Sequence, residues 1–150
     1  MFESAELGHK VDKTVYERTA PTLREALLNA QYDLGAAARF PVVIVIGGVD
    51  GAGKGETVNL LNEWMDPRHI HTHVFSEPSD VEREHPRMWR FWRALPPKGK
   101  LGILFGAWHT EPIMKRVMRE IKSAELNAVI EQIVRFEHML RMCCNFGGDD

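Results

Sequence analysis

The stretch Gly48-Val-Asp-Gly-Ala-Gly-Lys54 fits the spacing G-x-x-x-x-G-K, the Walker A pattern. Glycines at 48, 51 and 53 let the backbone curl so that successive N–H groups point inward and form an anion nest. A helix starting at the end of the loop would add its positive amino-terminal end, and Lys54 would supply a mobile point charge for a phosphate group. Gly48, Gly51, Gly53, Lys54 and Gly55 are therefore the candidate phosphate-binding residues. One position departs from the usual loop: Gly55 stands where Ser or Thr would hold Mg²⁺ through a hydroxyl. A magnesium ion would have to find its protein ligand elsewhere, and Asp50, inside the loop, is the nearest carboxylate. The same side chain could instead brace the loop through a bond to its backbone. Asp50 and Lys54 are the catalytic candidates, and Asp50 is the metal candidate.

Between Arg83 and Lys100 the chain carries six Lys or Arg against one Glu. Arg83, Arg87, Arg90 and Arg93 recur at spacings of three or four. Pro86 makes one continuous helix through Arg83 doubtful, while Arg90 and Arg93 would lie close on the helix after it. Like charges at this density repel unless an anion relieves them, and a polyanion would do so. A solvated helix face with Trp89 and Trp92 packed on the core is the alternative. His69, His71 and His73 alternate, so on a strand they would share a face. No carboxylate or cysteine stands at a spacing that completes a metal shell, which favours core or surface histidines. Cys143 and Cys144 are adjacent and cannot staple a fold.

The elements that must position these groups follow from periodicity. Leu23, Ala26, Leu27, Ala30 and Leu34 mark one helix face, with Thr22 as its expected N-cap. Pro41-Val-Val-Ile-Val-Ile46 is a β-branched run without polar alternation, as a strand buried on both faces requires. A helix over Thr57–Trp64, a strand over His71–Phe75, a polar loop over Pro78–His85 and a helix with Pro86 in its first turn follow. Leu101–Phe105 is a third strand, and a helical pattern runs from Glu111 to Leu140 with a break near Ser123. Alternating strands and helices predict an α/β fold: a parallel sheet flanked by helices in three α/β/α layers.

With 150 residues, 44% hydrophobic and 27% charged, the chain is long enough for one globular domain and excludes a disordered tail, a fibre or a disulfide scaffold. A net charge of −2 gives no global attraction to nucleic acid or to an anionic membrane, so neither is an expected partner. The longest apolar run falls far short of the ~20 residues that span a bilayer. Met1–Lys13 has no apolar core of a signal peptide. A cytoplasmic protein is expected. Residues 1–21 read as an amino-terminal extension and 141–150 as an atypical tail.

The chain resembles the polyphosphate kinase type 2 family. The likeness runs through Gly47-Gly-Val-Asp-Gly-Ala-Gly-Lys-Gly55, Trp64-Met-Asp-Pro-Arg68, Glu82-Arg-Glu-His85 and Trp89-Arg-Phe-Trp-Arg-Ala-Leu-Pro96 with Gly99. It is nearest in pattern to the amino-terminal domain of the tandem-domain branch, the polyphosphate:AMP phosphotransferases. The resemblance implies Mg²⁺-dependent transfer of the terminal phosphoryl group of inorganic polyphosphate to AMP, giving ADP. Asp50 would then hold magnesium and Lys54 the transferred phosphate. Arg83, Arg87, Arg90 and Arg93 are candidates for the polyanion path.

Two departures bear on this expectation. The family places an Asp-Arg pair after its third strand, to complete the metal site and clamp phosphate, whereas Phe105 is followed here by Gly106-Ala107-Trp108. Losing such a clamp costs ~10³–10⁵ in rate by analogy with arginine fingers. The likeness also stops after Leu140, where a further strand and lid helices would follow, so the domain reads as incomplete at its carboxyl end. A sheet short of a strand exposes an edge and an apolar helix face, and a homo-oligomer is expected on that ground. The alternatives are a non-catalytic phosphate-binding and assembly module of such an enzyme, and an ATP-dependent small-molecule P-loop kinase, which Gly55 and the arginine block oppose.

Overall fold

The computed structural model describes residues 10–48 and 51–145. Helix α1 (Lys13–Ala37) leads into strand β1 (Val42–Ile46), then α2 (Lys54–Trp64), a 3₁₀ turn at Pro67–His69 and β2 (Ile70–Val74). Two short helices, α3 (Asp80–Arg83) and α4 (Trp89–Trp92), precede β3 (Leu101–Phe105), and α5 (Thr110–Val117) and α6 (Ser123–Asn145) follow it.

The three strands form one parallel sheet in the order β1-β3-β2, with Leu101 opposite both Val42 and Ile70. The middle position makes β3 the strand covered on both faces: Ile103 and Leu104 have no exposed surface. On one face Ile103 and Leu101 pack with Val58 and Met65, and Leu27 of α1 leans on the same cluster. On the other face Leu104 packs with Phe91, Trp108, Ile133 and Phe136. Helices thus cover both sides of a parallel sheet, the expected α/β layering. The apolar run of β1 suggested a strand buried on both faces, but β1 lies at the sheet edge and is only half-buried. Ile113, Val117 and Met118 around α5 and Ile130 and Val134 on α6 are exposed, in line with the expected apolar helix face. Among the described residues no helix is long and apolar enough to cross a membrane.

Four local expectations are corrected. Helix α1 begins a full two turns before Thr22, because Asp12 is its N-cap, its carboxylate accepting the Thr14 N–H at 2.9 Å. Pro21 is accommodated inside that helix. The supposed loop Pro78–His85 contains α3, fixed by a capping box in which the Ser79 hydroxyl accepts from the Glu82 N–H and the Glu82 carboxylate accepts from the Ser79 N–H. Pro86 does not open α4; it closes a turn before it, its carbonyl accepting the Trp89 N–H at 2.8 Å. Strand β2 spans Ile70–Val74, one residue earlier than expected, with the Phe75 N–H still donating to the Phe105 carbonyl at 2.9 Å.

Candidate phosphate-binding site

Parallel strands bring their carboxyl ends to one rim, and the glycine-rich loop leaves β1 at that rim to start α2. Gly48, Gly51 and Gly53 have φ of +152°, +79° and +75°, backbone that side-chain-bearing residues rarely adopt. Gly53 is the N-cap of α2, so the free N–H groups of the first turn face the loop. Lys54 folds back over the loop: Nζ donates to the Gly48 carbonyl at 2.7 Å and lies 6.0 Å from the Phe105 ring centre. Among the described residues nothing lies within 4 Å of a Cβ placed on Gly51 or Gly55. Asp50 lies outside the described residues. Thr110, at the start of α5, was not singled out by the sequence; its Oγ1 lies 3.6 Å from a Cβ built on Gly47, which brings a hydroxyl to the loop.

Each of the four arginines already has a partner within the chain, and of the four only Arg90 lines the cleft beside the loop. Arg83 pairs with Asp80 at 3.0 Å in the open. Arg87 donates to Glu111 at 2.8 Å, and Glu111 also takes Lys115 at 2.7 Å. Arg90 lies 3.3 Å from Glu82, donates to the Ser76 carbonyl at 2.9 Å and covers the Phe75 and Phe91 rings. Arg93 stacks over Trp89 with its guanidinium 4.7 Å from the ring centre. Repulsion within the arginine run is thus relieved by carboxylates and ring faces of the chain itself. The Ser79 N–H, then the charges of Arg90 and Arg93, hold the Glu82 carboxyl below the usual range. Burial opposes charge on Glu111, but Lys115, Arg87 and Arg90 prevail and its pKa is lowered as well. The Nε of Arg87 is buried without a hydrogen-bond acceptor among the described residues, whereas the Nε of Arg90 is the atom that meets Glu82 Oε1.

A cleft of about 360 Å³ opens between these groups, lined by Arg90, Lys115, Thr110 and Gly106 and by the carboxylates Glu77, Glu111 and Glu120. A phosphate chain entering it would compete with Glu111 for Arg87 and Lys115. Glu111→Gln should therefore tighten the binding of a polyanion a few-fold, the scale of part-exposed charge pairs, and an affinity unchanged or weakened in a titration would count against that placement.

Gly106 occupies the turn after β3 with φ +72°, its N–H donating to the Ile46 carbonyl at 3.1 Å. A Cβ there would stand 2.9 Å from the Phe75 carbonyl oxygen. The turn thus stitches β1 to β3 and runs against the end of β2, and no side chain fits at 106.

The segment Trp64–Arg68 lies at the opposite rim and is structural. Asp66 caps the 3₁₀ turn and grips the Arg68 guanidinium at 2.6 Å, while its backbone N–H donates to, and its carbonyl accepts from, the side-chain amide of the buried Gln31 of α1. The bonds from Arg68 hold the Asp66 pKa down to about 2. A carboxyl depressed in the folded state stabilises it above the ordinary value of 3.8 and loses that contribution as pH falls towards 2. Asp66→Asn should flatten the acid limb of the stability profile between those limits; a limb that keeps its slope in acid titration followed by circular dichroism would contradict this.

Of the three histidines, His71 and His73 are exposed on β2, whereas His69 Nδ1 meets Lys100 Nζ at 2.6 Å. No group of three or more His, Cys, Asp or Glu among the described residues is arranged to hold a metal. Magnesium commonly takes one or two carboxylates and completes its shell with substrate phosphates and water, so a magnesium site here would rest on Asp50. Cys143 is free and exposed.

Comparison with known proteins agrees with this geometry. The chain is 58% identical over 140 residues to a polyphosphate:AMP phosphotransferase of Pseudomonas aeruginosa, covering 93% of this chain and 28% of that protein. It is 50% identical, with the same coverage, to a polyphosphate:AMP phosphotransferase of Pseudomonas syringae. The crystal structure of a protein described as a polyphosphate kinase 2 from Pseudomonas aeruginosa superposes with a TM-score of 0.86 at 58% identity, over 93% of this chain and 30% of that one. The chain therefore spans under a third of the length of these relatives. The family model described as "Polyphosphate kinase 2 (PPK2)" matches residues 10–144. A parallel sheet carrying this loop, matched along nearly its whole length, places the chain in the polyphosphate kinase 2 family.

Proposed function

We propose that this chain takes part in the Mg²⁺-dependent transfer of the terminal phosphoryl group of inorganic polyphosphate to AMP, giving ADP, and that its share of the work is to hold phosphate. The observation that carries this reading is the positive-φ glycine loop between β1 and α2, with Lys54 folded over it. In the transfer an AMP phosphate oxygen attacks the terminal phosphorus, the bond to the bridging oxygen breaks, and polyphosphate leaves one unit shorter. Charge on the phosphoryl oxygens is what a protein must neutralise and position. The loop N–H groups and Lys54 would hold the terminal group, and Arg87, Arg90 and Arg93, with Arg83 further out, would take the chain behind it. Magnesium, when bound through Asp50, would supply further charge neutralisation between phosphate oxygens. The chain would act inside the cell, where AMP and polyphosphate are met, and as a homo-oligomer through its apolar helix face.

A second reading is favoured by Gly106, whose turn admits no side chain: a phosphate-binding module without turnover of its own. Incubating the folded chain with AMP, long-chain polyphosphate and Mg²⁺, beside Lys54→Ala, separates the two. ADP that the variant fails to make supports the catalytic reading. Polyphosphate binding without ADP supports the module. ATP bound more tightly than polyphosphate would overturn both in favour of an ATP-dependent kinase.

A further inference from the structure

The rim opposite the glycine loop carries a different charge pattern. The five-residue strands separate the two rims by about 16 Å. At the far rim the last turns of α1 meet the segments that enter β2 and β3, and between them lies a hollow of about 240 Å³. Its polar lining is Lys98, Lys100, His69, Tyr32 and Gln31, and no carboxylate lines it. The contrast with the cleft beside the loop is direct, because there each cation faces an acid.

Neither Lys98 nor Lys100 has a carboxylate within ion-pair distance among the described residues. Lys100 Nζ instead donates to His69 Nδ1 at 2.6 Å and to the Arg68 carbonyl at 3.4 Å. An ammonium has no lone pair, so the imidazole nitrogen must accept. Asp66, close in sequence to His69, is taken up by Arg68, and Asp33, beside Tyr32 on α1, does not line the hollow. The carboxyl end of α1 adds at most about half a negative charge. Two lysines therefore line the hollow with no carboxylate among its lining residues to balance them.

The segment that carries them is rigid. Gly99, at φ +77°, sits so close to the end of α1 that an added Cβ would meet Ala38 Cα at 3.2 Å. Its N–H donates to the Phe40 carbonyl and the Lys100 carbonyl accepts from the Val42 N–H, both at 3.1 Å. Lys98 and Lys100 are thus presented from a backbone fixed on both sides, which lowers the ordering cost of binding an anion between them.

We propose that this hollow is a second phosphate site, which holds a stretch of inorganic polyphosphate between Lys98, Lys100 and the imidazole of His69. The assignment rests on the polyphosphate reading of the loop and extends it to the far rim of the sheet. A polyanion held at two separated places gains affinity from each without new contacts at either.

Isotope-labelled full chain titrated with long-chain polyphosphate tests this by the amide signals. Two groups should move, residues 51–55 at the loop and residues 98–101 at the far rim. Lys54→Ala should silence the first group and spare the second, and Lys98→Ala the reverse. Lys98 is exposed, so its replacement leaves the fold intact. The salt dependence of affinity should become shallower by about one ionic contact in Lys98→Ala. Movement at 51–55 with none at 98–101 would overturn the second site and leave the loop reading standing. No movement at either would overturn both. An oligonucleotide that shifts 98–101 as strongly as polyphosphate would overturn the assignment of the ligand.

Discussion

Lys54→Ala is expected to weaken polyphosphate binding at the loop by about tenfold to a hundredfold, the scale of losing one charge-assisted hydrogen bond to an anion. If the chain turns over, ADP formation should fall by about 10²–10³, as when a preorganised donor is removed from a developing charge. The fold should survive, because Lys54 sits at the first position of α2 and its ammonium donates to the carbonyl of Gly48 within the same loop. The check is a pair of calorimetric titrations with unfolding curves in parallel. A variant that melts with the wild type but binds less tightly isolates the role of the ammonium.

The second large effect concerns Gly106. The family pattern has an acidic residue after the third strand, so Gly106→Asp looks like the repair of a lost metal ligand. The structure predicts damage instead. The turn has φ +72°, and a Cβ would press on the Phe75 carbonyl at 2.9 Å, backbone that cannot swing aside as a flexible side chain can. A strained left-handed residue costs about 1–3 kcal/mol, and moving Phe75 would disturb the ring contacts it makes with Phe91 and Arg90. For a domain of this size each kcal/mol lowers Tm by about 2–4 °C. Gly106→Asp should therefore melt earlier and gain no ADP-forming activity. A variant that melts with the wild type and gains activity would show that the turn opens more readily than this packing allows.

How much of this was legible in the sequence depends on the range of the interaction. The strands could be read because β-branched runs stand between glycines and prolines, and Leu101–Phe105 was placed to the residue. The loop could be read because its glycines and lysine are consecutive. Helix α3 carried its own signal, Ser79 and Glu82 at capping-box spacing, but the flanking Pro78 and Pro86 made the segment look irregular. Thr22 offers a capping side chain just before the periodic run from Leu23, but the helix begins earlier, where Asp12 does the capping. The partners of the arginines were out of reach: Glu111 is 24 residues from Arg87, and nothing local announces the pair. The same holds for Gly106, whose constraint comes from a carbonyl on another strand. It holds too for the order β1-β3-β2, which decides that β3 and not β1 is the buried strand.

The central claim is that the glycine loop and Lys54 bind the phosphates of polyphosphate. Its most direct test is the dissociation constant of the folded chain for long-chain polyphosphate, measured by calorimetry beside Lys54→Ala. The account predicts saturable binding by the wild type and a tightest component at least about tenfold weaker in the variant, a difference of about 1.4 kcal/mol. Equal affinities in the two proteins, or no binding by a folded wild type, would contradict it.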